Sequence, residues 1–343
     1  MSENYDAIIV VSFGGPEGPD DVMPFLENVL RGRNVPRERM LEVAKHYQQF
    51  GGVSPINQQN LNLIEALEKE LADNNIDLPV YFGNRNWQPL LPDTLEKMKA
   101  DGVKRALALF TSAFSSYSGC RQYRENVIAA REQVGDGAPE IDKLRMFYNH
   151  PGFLVPISDD IKAALAKIPT ERRGATKLIF TAHSIPLSMA SGCNYVDQLT
   201  EATRLLAELA SHENYSLVYQ SRSGPPMQPW LEPDVCDYIR EIHEQEKVTD
   251  VIVVPIGFIS DHMEVLFDLD TEAKDTCEEL GIGFTRAMTI GTHPDFITAI
   301  RELIEERIGR REEKRALGTH GPCHDVCPVD CCTYERPQRP VAR

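Results

Sequence analysis

Eight short runs rich in β-branched and apolar residues, with helix-like stretches between them, constrain the fold of this chain most tightly. One set covers residues 7–13, 79–83, 106–111 and 143–148; the other covers 177–182, 216–220, 251–258 and 284–289. Segments with helical spacing, such as 57–73 and 195–210, lie between them. Strands alternating with helices indicate an α/β fold with largely parallel sheets. Two sets of four runs give two similar doubly wound halves, each a four-stranded parallel sheet flanked by helices, facing each other across a cleft. The halves share no obvious repeated sequence.

The 343 residues suit two domains of ordinary size. The expected division is an N-terminal half over 1–150 and a C-terminal half over 151–293, joined near His150-Pro151-Gly152. A closing helix follows within 294–316, running from 294 to 315, then a cysteine-rich tail over 317–343 whose residues 336–340 read as disordered. A net charge of -16 leaves nothing to neutralise a phosphate backbone and argues against nucleic acid and anionic lipid. The apolar run Ile8 to Val11 is short and follows acidic Glu3 and Asp6, unlike a signal peptide. No apolar stretch approaches membrane-spanning length, and a cytoplasmic protein is expected.

The chemistry concentrates at two strand exits. His183 follows the apolar run Lys177 to Phe180 and precedes Ser184-Ile185-Pro186, where Ser184 is expected to cap the next helix. A lone histidine is more often a satisfied structural group. This one, however, stands where open α/β sheets place their ligand chemistry. The second run leads into Asp261-His262-Met263-Glu264. Glu264, Asp268 and Glu272 recur at i, i+4 and i+8, which aligns them along one side of a helix. Leu266, Leu269, Ala273, Cys277 and Leu280 form the opposite, inward side. A solvated acidic face is the usual meaning of such a row. Its start immediately after a buried strand favours a path for a divalent cation, held transiently rather than tightly. His262 is expected to act at most as support for its neighbours. The turn at Phe13-Gly14-Gly15-Pro16 lacks the GxGxxG spacing, and Pro16 removes an amide donor, so a pocket wall is expected there rather than a nucleotide site.

These segments together resemble the ferrochelatases, which insert ferrous iron into a porphyrin. The similarity runs from about Ala7 to Arg307. It is carried by SFGGPEG at Ser12, RGR at Arg31, FGGVSPI at Phe50, YFGNRNW at Tyr81, YSGCRQY at Tyr117, TAHSIP at Thr181, QSRSGPPMQPWLEPDV at Gln220 and GFISDHMEVLFDLD at Gly257. The FGNRNW and YSGCRQY wording is most similar to actinobacterial members, which act as coproporphyrin ferrochelatases. The resemblance implies two Rossmann-like, chelatase-type halves. It implies that His183 and Glu264 act at the iron and in porphyrin deprotonation, and that Asp268 and Glu272 form an inner acidic row on a π-helical turn. It also implies that Ser54 and Tyr123 contact the porphyrin and its propionates. Some members carry a tyrosine where Phe13 stands, able to ligate product iron, which Phe13 cannot do. Some carry an arginine where His46 stands, which shifts propionate anchoring to other cations, with Arg31, Arg33 and Arg85 as candidates.

The expected reaction is insertion of Fe2+ into coproporphyrin III, giving coproheme in haem biosynthesis. Protoporphyrin IX is the alternative substrate; a cobalt or nickel chelatase and a non-catalytic haem or metal carrier are more distant ones. Expected partners are porphyrin, ferrous iron and, transiently, neighbouring enzymes of the haem pathway. Cys323, Cys327, Cys331 and Cys332 crowd into the last 21 residues, whereas Cys120, Cys193, Cys236 and Cys277 are scattered. The tail fits a [2Fe–2S] cluster of the kind several ferrochelatases carry, with Cys120 or Cys193 able to supply a thiolate, because adjacent Cys331 and Cys332 ligate together only with strain. Zinc with His320 or His324, or a tail that binds nothing, are the other readings.

Overall fold

Seven of the eight runs become strands, and an eighth strand forms beside the remaining run, in a computed structural model that describes residues 4–32, 35–224, 227–246 and 248–334. Arg33 and residues 336–340 lie outside the described residues. The first four strands are β1 (Ala7–Ser12), β2 (Val80–Asn84), β3 (Arg105–Phe110) and β4 (Glu140–Lys143). The second four are β5 (Lys177–His183), β6 (Tyr215–Gln220), β7 (Asp250–Val254) and β8 (Gly283–Arg286). They form two four-stranded sheets ordered β2-β1-β3-β4 and β6-β5-β7-β8, and every pairing is parallel. Both halves therefore have the same order, with the first strand flanked by the second on one side and the third on the other. Chain direction across the sheet reverses between β1 and β3 and between β5 and β7. Such a switch point opens a crevice at the C-terminal strand ends, where ligands bind in open α/β sheets.

Three expected boundaries move, each for a physical reason. The apolar run 143–148 is not the fourth strand. The ladder uses the polar Glu140–Lys143, whose edge position leaves one side unpaired. Leu144, Met146, Phe147 and Tyr148 are instead buried in the core, where Phe147 packs on Phe153 and Phe296 at ring distances of 5.7 and 5.5 Å. Burial, rather than pairing, explains that run. The ladder of β7 stops at Val254 because Pro255 has no N–H to donate. The closing helix runs Pro294–Arg307 and ends eight residues before the expected 315, because Gly309 adopts φ +76° just past the cap. Its Phe296 is fully buried and contributes about 1.5–3 kcal/mol.

A set of buried charges lies beside that helix. Arg145, 0% exposed, directs Nε and Nη2 at Glu306, 1% exposed, at 2.8 and 3.0 Å. Arg145 Nη2 also donates to the Arg315 carbonyl at 2.9 Å. Nearby, His150 Nε2 lies 3.2 Å from Glu302, which Arg311 and Arg315 share. The ring is not a cation there: burial, with Arg145, Arg315 and Arg311 around it, lowers its pKa to about 3. No helix among the described residues is long and apolar enough to cross a membrane.

Candidate functional site at the strand exits

Strands β5, β6 and β8 and the segment after β7 bring their side chains together at the strand exits. β5 ends on His183, and Tyr195 holds that residue's carbonyl through an Oη donation of 3.0 Å. His183 Nδ1 lies 2.5 Å from the Ser184 carbonyl oxygen. A carbonyl can only accept, so Nδ1 carries a hydrogen, and Nε2 is the nitrogen left to exchange a proton. Nε2 faces Glu264 Oε2 at 3.5 Å. The strand exit is narrow here. A Cβ on Gly257 would sit 2.7 Å from Ala182 Cα, so only glycine lets the segment after β7 pass this close to β5. Ser184 does not cap the following helix as expected. Its hydroxyl donates to Leu231 O at 2.7 Å, and the short helix Leu187–Ala190 begins after Pro186.

The acidic row takes a geometry intermediate between helix types. Met263–Phe267 is α-helical, Asp268–Ala273 is a π-turn, and Lys274–Leu280 is α-helical again. His262 caps this stretch, with Nδ1 accepting from Glu264 N–H at 3.2 Å, and burial lowers the His262 pKa. Leu269, Ala273 and Cys277 are buried on the inner side, while Glu264 and Glu272 are exposed. Asp268 is held from β6 by the Ser221 hydroxyl and by Gln220 Nε2 at 3.2 Å. Burial, reinforced by the Glu264 and Glu272 carboxylates and opposed by those two hydrogen bonds, raises the Asp268 pKa to about 7. Ser221 makes its bond from φ +61°, a left-handed conformation unusual for a side-chain-bearing residue. Glu272 is also raised, by burial and by Asp234.

The first half supplies a cationic and aromatic wall. Arg85, just past β2, lies 4.4 Å from the Tyr123 ring centroid and 5.5 Å from that of Phe13. Its Nε donates to Asn126 at 2.6 Å, and no carboxylate of the described residues pairs with it. Burial lowers its pKa, and Tyr123 partly offsets that effect. Phe13 packs edge-on to Phe25, which also meets Tyr47 and Trp87. Ser54 is buried beneath the turn after β1, with its N–H donating to Pro16 O at 2.8 Å. His46 stacks on Phe267 of the opposite half, 3.9 Å between centroids and 10° from parallel. Burial, with Arg39 nearby, lowers the His46 pKa. Arg31 is exposed and bonded to Asn28, apart from the contacts of Arg85. A groove of 610 Å³ is lined by Gln59, Asp160, Asp261, Met288 and His293 and contains neither His183 nor Glu264.

Three residues carry no sequence signal strong enough to single them out: Gln220, Ser221 and Arg286. Gln220 and Ser221 open the long QSRSGPP motif, which was the available clue.

The tail folds back on both halves. His324, Cys327 and Cys331 bring their ligand atoms within 4.8 Å of one another. The Cys120 thiol donates to Cys327, which, with Lys143, His324 and Arg124, lowers the Cys327 thiol against the effect of burial, while Cys120 itself is raised. Cys332 is buried with Sγ 3.6 Å from Cys331, and Cys323 accepts from Gln198. His320 is engaged by the Tyr148 hydroxyl at 3.1 Å and is not among the converging donors.

The family model for ferrochelatase matches residues 5–308. A protein of Rhodopirellula baltica named ferrochelatase is 60% identical, covering 98% of this chain and 96% of that protein. A Streptomyces coelicolor protein named coproporphyrin III ferrochelatase is 51% identical with the same coverage, and one from Nocardia farcinica is 47% identical over 98% of each chain. Among solved structures, SirB from Bacillus subtilis with Fe3+ aligns with a TM-score of 0.55 at 13% identity, covering 90% of this chain and 98% of that one, a likeness of fold alone.

Proposed function

The chain belongs to the ferrochelatase family, and from that premise we propose that it inserts ferrous iron into coproporphyrin III at the site between the two halves. The observation that carries this reading is the His183–Glu264 pair, 3.5 Å apart at the β5/β7 switch point, with Nε2 turned to the carboxylate and Nδ1 held by the Ser184 carbonyl.

Metalation exchanges two pyrrole N–H protons for one Fe2+. In our reading the porphyrin lies between the pair and the wall of Phe13, Ser54, Arg85 and Tyr123. His183 Nε2 accepts a pyrrole proton, and Glu264 passes it toward solvent or takes the second. Glu272, Asp268 and Glu264 form the route along which the hydrated ion exchanges water for carboxylate oxygens. An Asp268 pKa near 7 suits a ligand that releases its proton as the ion arrives and regains it as the ion leaves. Arg85 supports binding of a carboxylate: its guanidinium is partly desolvated and has no acidic partner among the described residues. Its setting favours a porphyrin rich in propionates, and several relatives are named for coproporphyrin III. Eight free thiols fit the reducing cytoplasm.

The test is anaerobic iron insertion into coproporphyrin III and protoporphyrin IX under matched conditions. We expect kcat/KM for coproporphyrin to exceed that for protoporphyrin by at least about tenfold, the value of one good charge-assisted contact. Equal values, or a preference for protoporphyrin, would favour the alternative left open by the relative named only ferrochelatase.

We extend the reading to a [2Fe–2S] cluster in the tail. The donors that converge are His324, Cys327 and Cys331, with Cys120 of the body against Cys327 and Cys332 adjoining Cys331. Cys323, which accepts from Gln198, lies near Cys327 and Cys331 as well. When bound, such a cluster supplies one-electron chemistry and a covalent staple between tail and body. Anaerobically purified protein is expected to contain iron and acid-labile sulfide in equal amounts, and Cys327→Ser to lose both. Stoichiometric zinc without sulfide would contradict the cluster.

A further inference from the structure

The last strand of the second sheet adds a residue to this machinery. β8 ends at Arg286, whose side chain is 12% exposed and reaches across the exit of β7. Nη1 and Nη2 grip the two carboxylate oxygens of Asp261 at 3.1 and 3.2 Å, and Nε donates to Asp270 Oδ1 at 2.6 Å. One rigid guanidinium thus ties two points of a single segment. Asp261 lies three residues before Glu264, and Asp270 lies inside the π-turn, two residues after Asp268.

The first anchor is itself fixed. Asp261 N–H donates to Gln59 Oε1 of the other half at 2.8 Å, and Thr289 Oγ1 donates to Asp261 Oδ1 at 3.2 Å. The second anchor lies in an uncommon geometry. A π-turn is rare and occurs mostly as a single turn inserted in an α-helix. Rewinding would rotate Asp268 away from Gln220 and Ser221 and change its spacing to Glu264. None of the contacts of Arg286 involves Phe13, Ser54, Arg85 or Tyr123, so the clamp acts on the acidic row and not on the porphyrin wall.

We propose that Arg286 is a positioning residue: by bracing Asp261 against Asp270 it fixes the spacing of the carboxylates that handle ferrous iron. The proposal rests on the metalation reading above.

The test compares Arg286→Leu, Arg286→Lys and Asp270→Asn with the unaltered protein. For each, KM for iron is measured at saturating porphyrin, and porphyrin affinity by fluorescence quenching. Arg286→Leu is expected to lower kcat/KM for iron by about 10²-fold and Asp270→Asn by about tenfold, as charge-assisted bonds are lost. Porphyrin affinity stays within about twofold in both. Arg286→Lys, which keeps the charge and one contact, is expected to recover part of the loss. Asp270→Asn leaves the Asp261 pair intact and decides the matter if Arg286→Leu does not fold. A folded Asp270→Asn protein with unchanged KM for iron, or with iron and porphyrin affinity falling together, overturns the clamp. Absence of turnover in the unaltered protein would instead overturn the reading on which it rests.

Discussion

Replacing His183 with alanine is expected to lower iron insertion by about 10³-fold while changing porphyrin affinity less than about threefold. The split follows from where the residue is held. Its backbone is fixed by the β5 ladder and by the Tyr195 bond to its carbonyl, neither of which needs the imidazole. In the proposed reading the porphyrin wall comes from the other half, so the bound substrate would keep its contacts. What disappears is Nε2, the nitrogen left to exchange a proton while the Ser184 carbonyl retains hydrogen at Nδ1. Glu264→Gln should be milder, since the amide keeps the size of the carboxylate and loses its charge. Initial rates and fluorescence quenching on the same preparations separate the two quantities. Near-normal turnover in the alanine variant would remove His183 from the chemistry.

The largest expected effect on stability is Glu306→Ala. Arg145 is entirely buried and directs two nitrogens at this one carboxylate. Removing it leaves a guanidinium in the interior with only the Arg315 carbonyl as partner. Breaking a buried ion pair from one side costs about 3–5 kcal/mol, and the denaturation midpoint should fall accordingly. Replacing both partners with apolar residues of similar volume should recover most of the loss, because desolvation of both charges is then avoided. A small shift for Glu306→Ala would show that water reaches the site. The same cluster sets a pH dependence. His150 is neutral in the fold with its pKa lowered to about 3, against about 6.5 in the unfolded chain. Its contribution is therefore present above pH ~6.5 and is lost as pH falls from there toward 3, by at most about 1.4 kcal/mol per pH unit. His150→Gln should flatten that slope in urea denaturation between pH 6 and 4.

The parts of this molecule legible in its sequence were those that obey local rules. Strand exits followed by polar turns located His183 and Glu264, because a parallel sheet puts chemistry at C-terminal ends whatever the partner strands do. The i, i+4, i+8 spacing put Glu264, Asp268 and Glu272 on one helical stretch, which the structure interrupts with a π-turn at Asp268–Ala273. Periodicity could not find what depends on distant pairing. Arg286 is one arginine at the end of a half-exposed strand, and its role appears only when β8 is set beside β7. Leu144, Met146, Phe147 and Tyr148 are apolar for the buried core and not for a ladder, a distinction that composition does not carry. In the tail, spacing grouped the cysteines correctly by region. It could not show that Cys120, some two hundred residues earlier, closes on Cys327 while Cys323 turns to Gln198.

The central claim is that these residues catalyse metalation rather than hold a porphyrin or an ion. It is tested most directly by mixing the protein anaerobically with excess coproporphyrin III and Fe2+, while recording the porphyrin spectrum and proton release together. The account predicts many turnovers per chain and two protons released for each iron inserted. Porphyrin binding without metalation, or a single stoichiometric event with no further turnover, would contradict it.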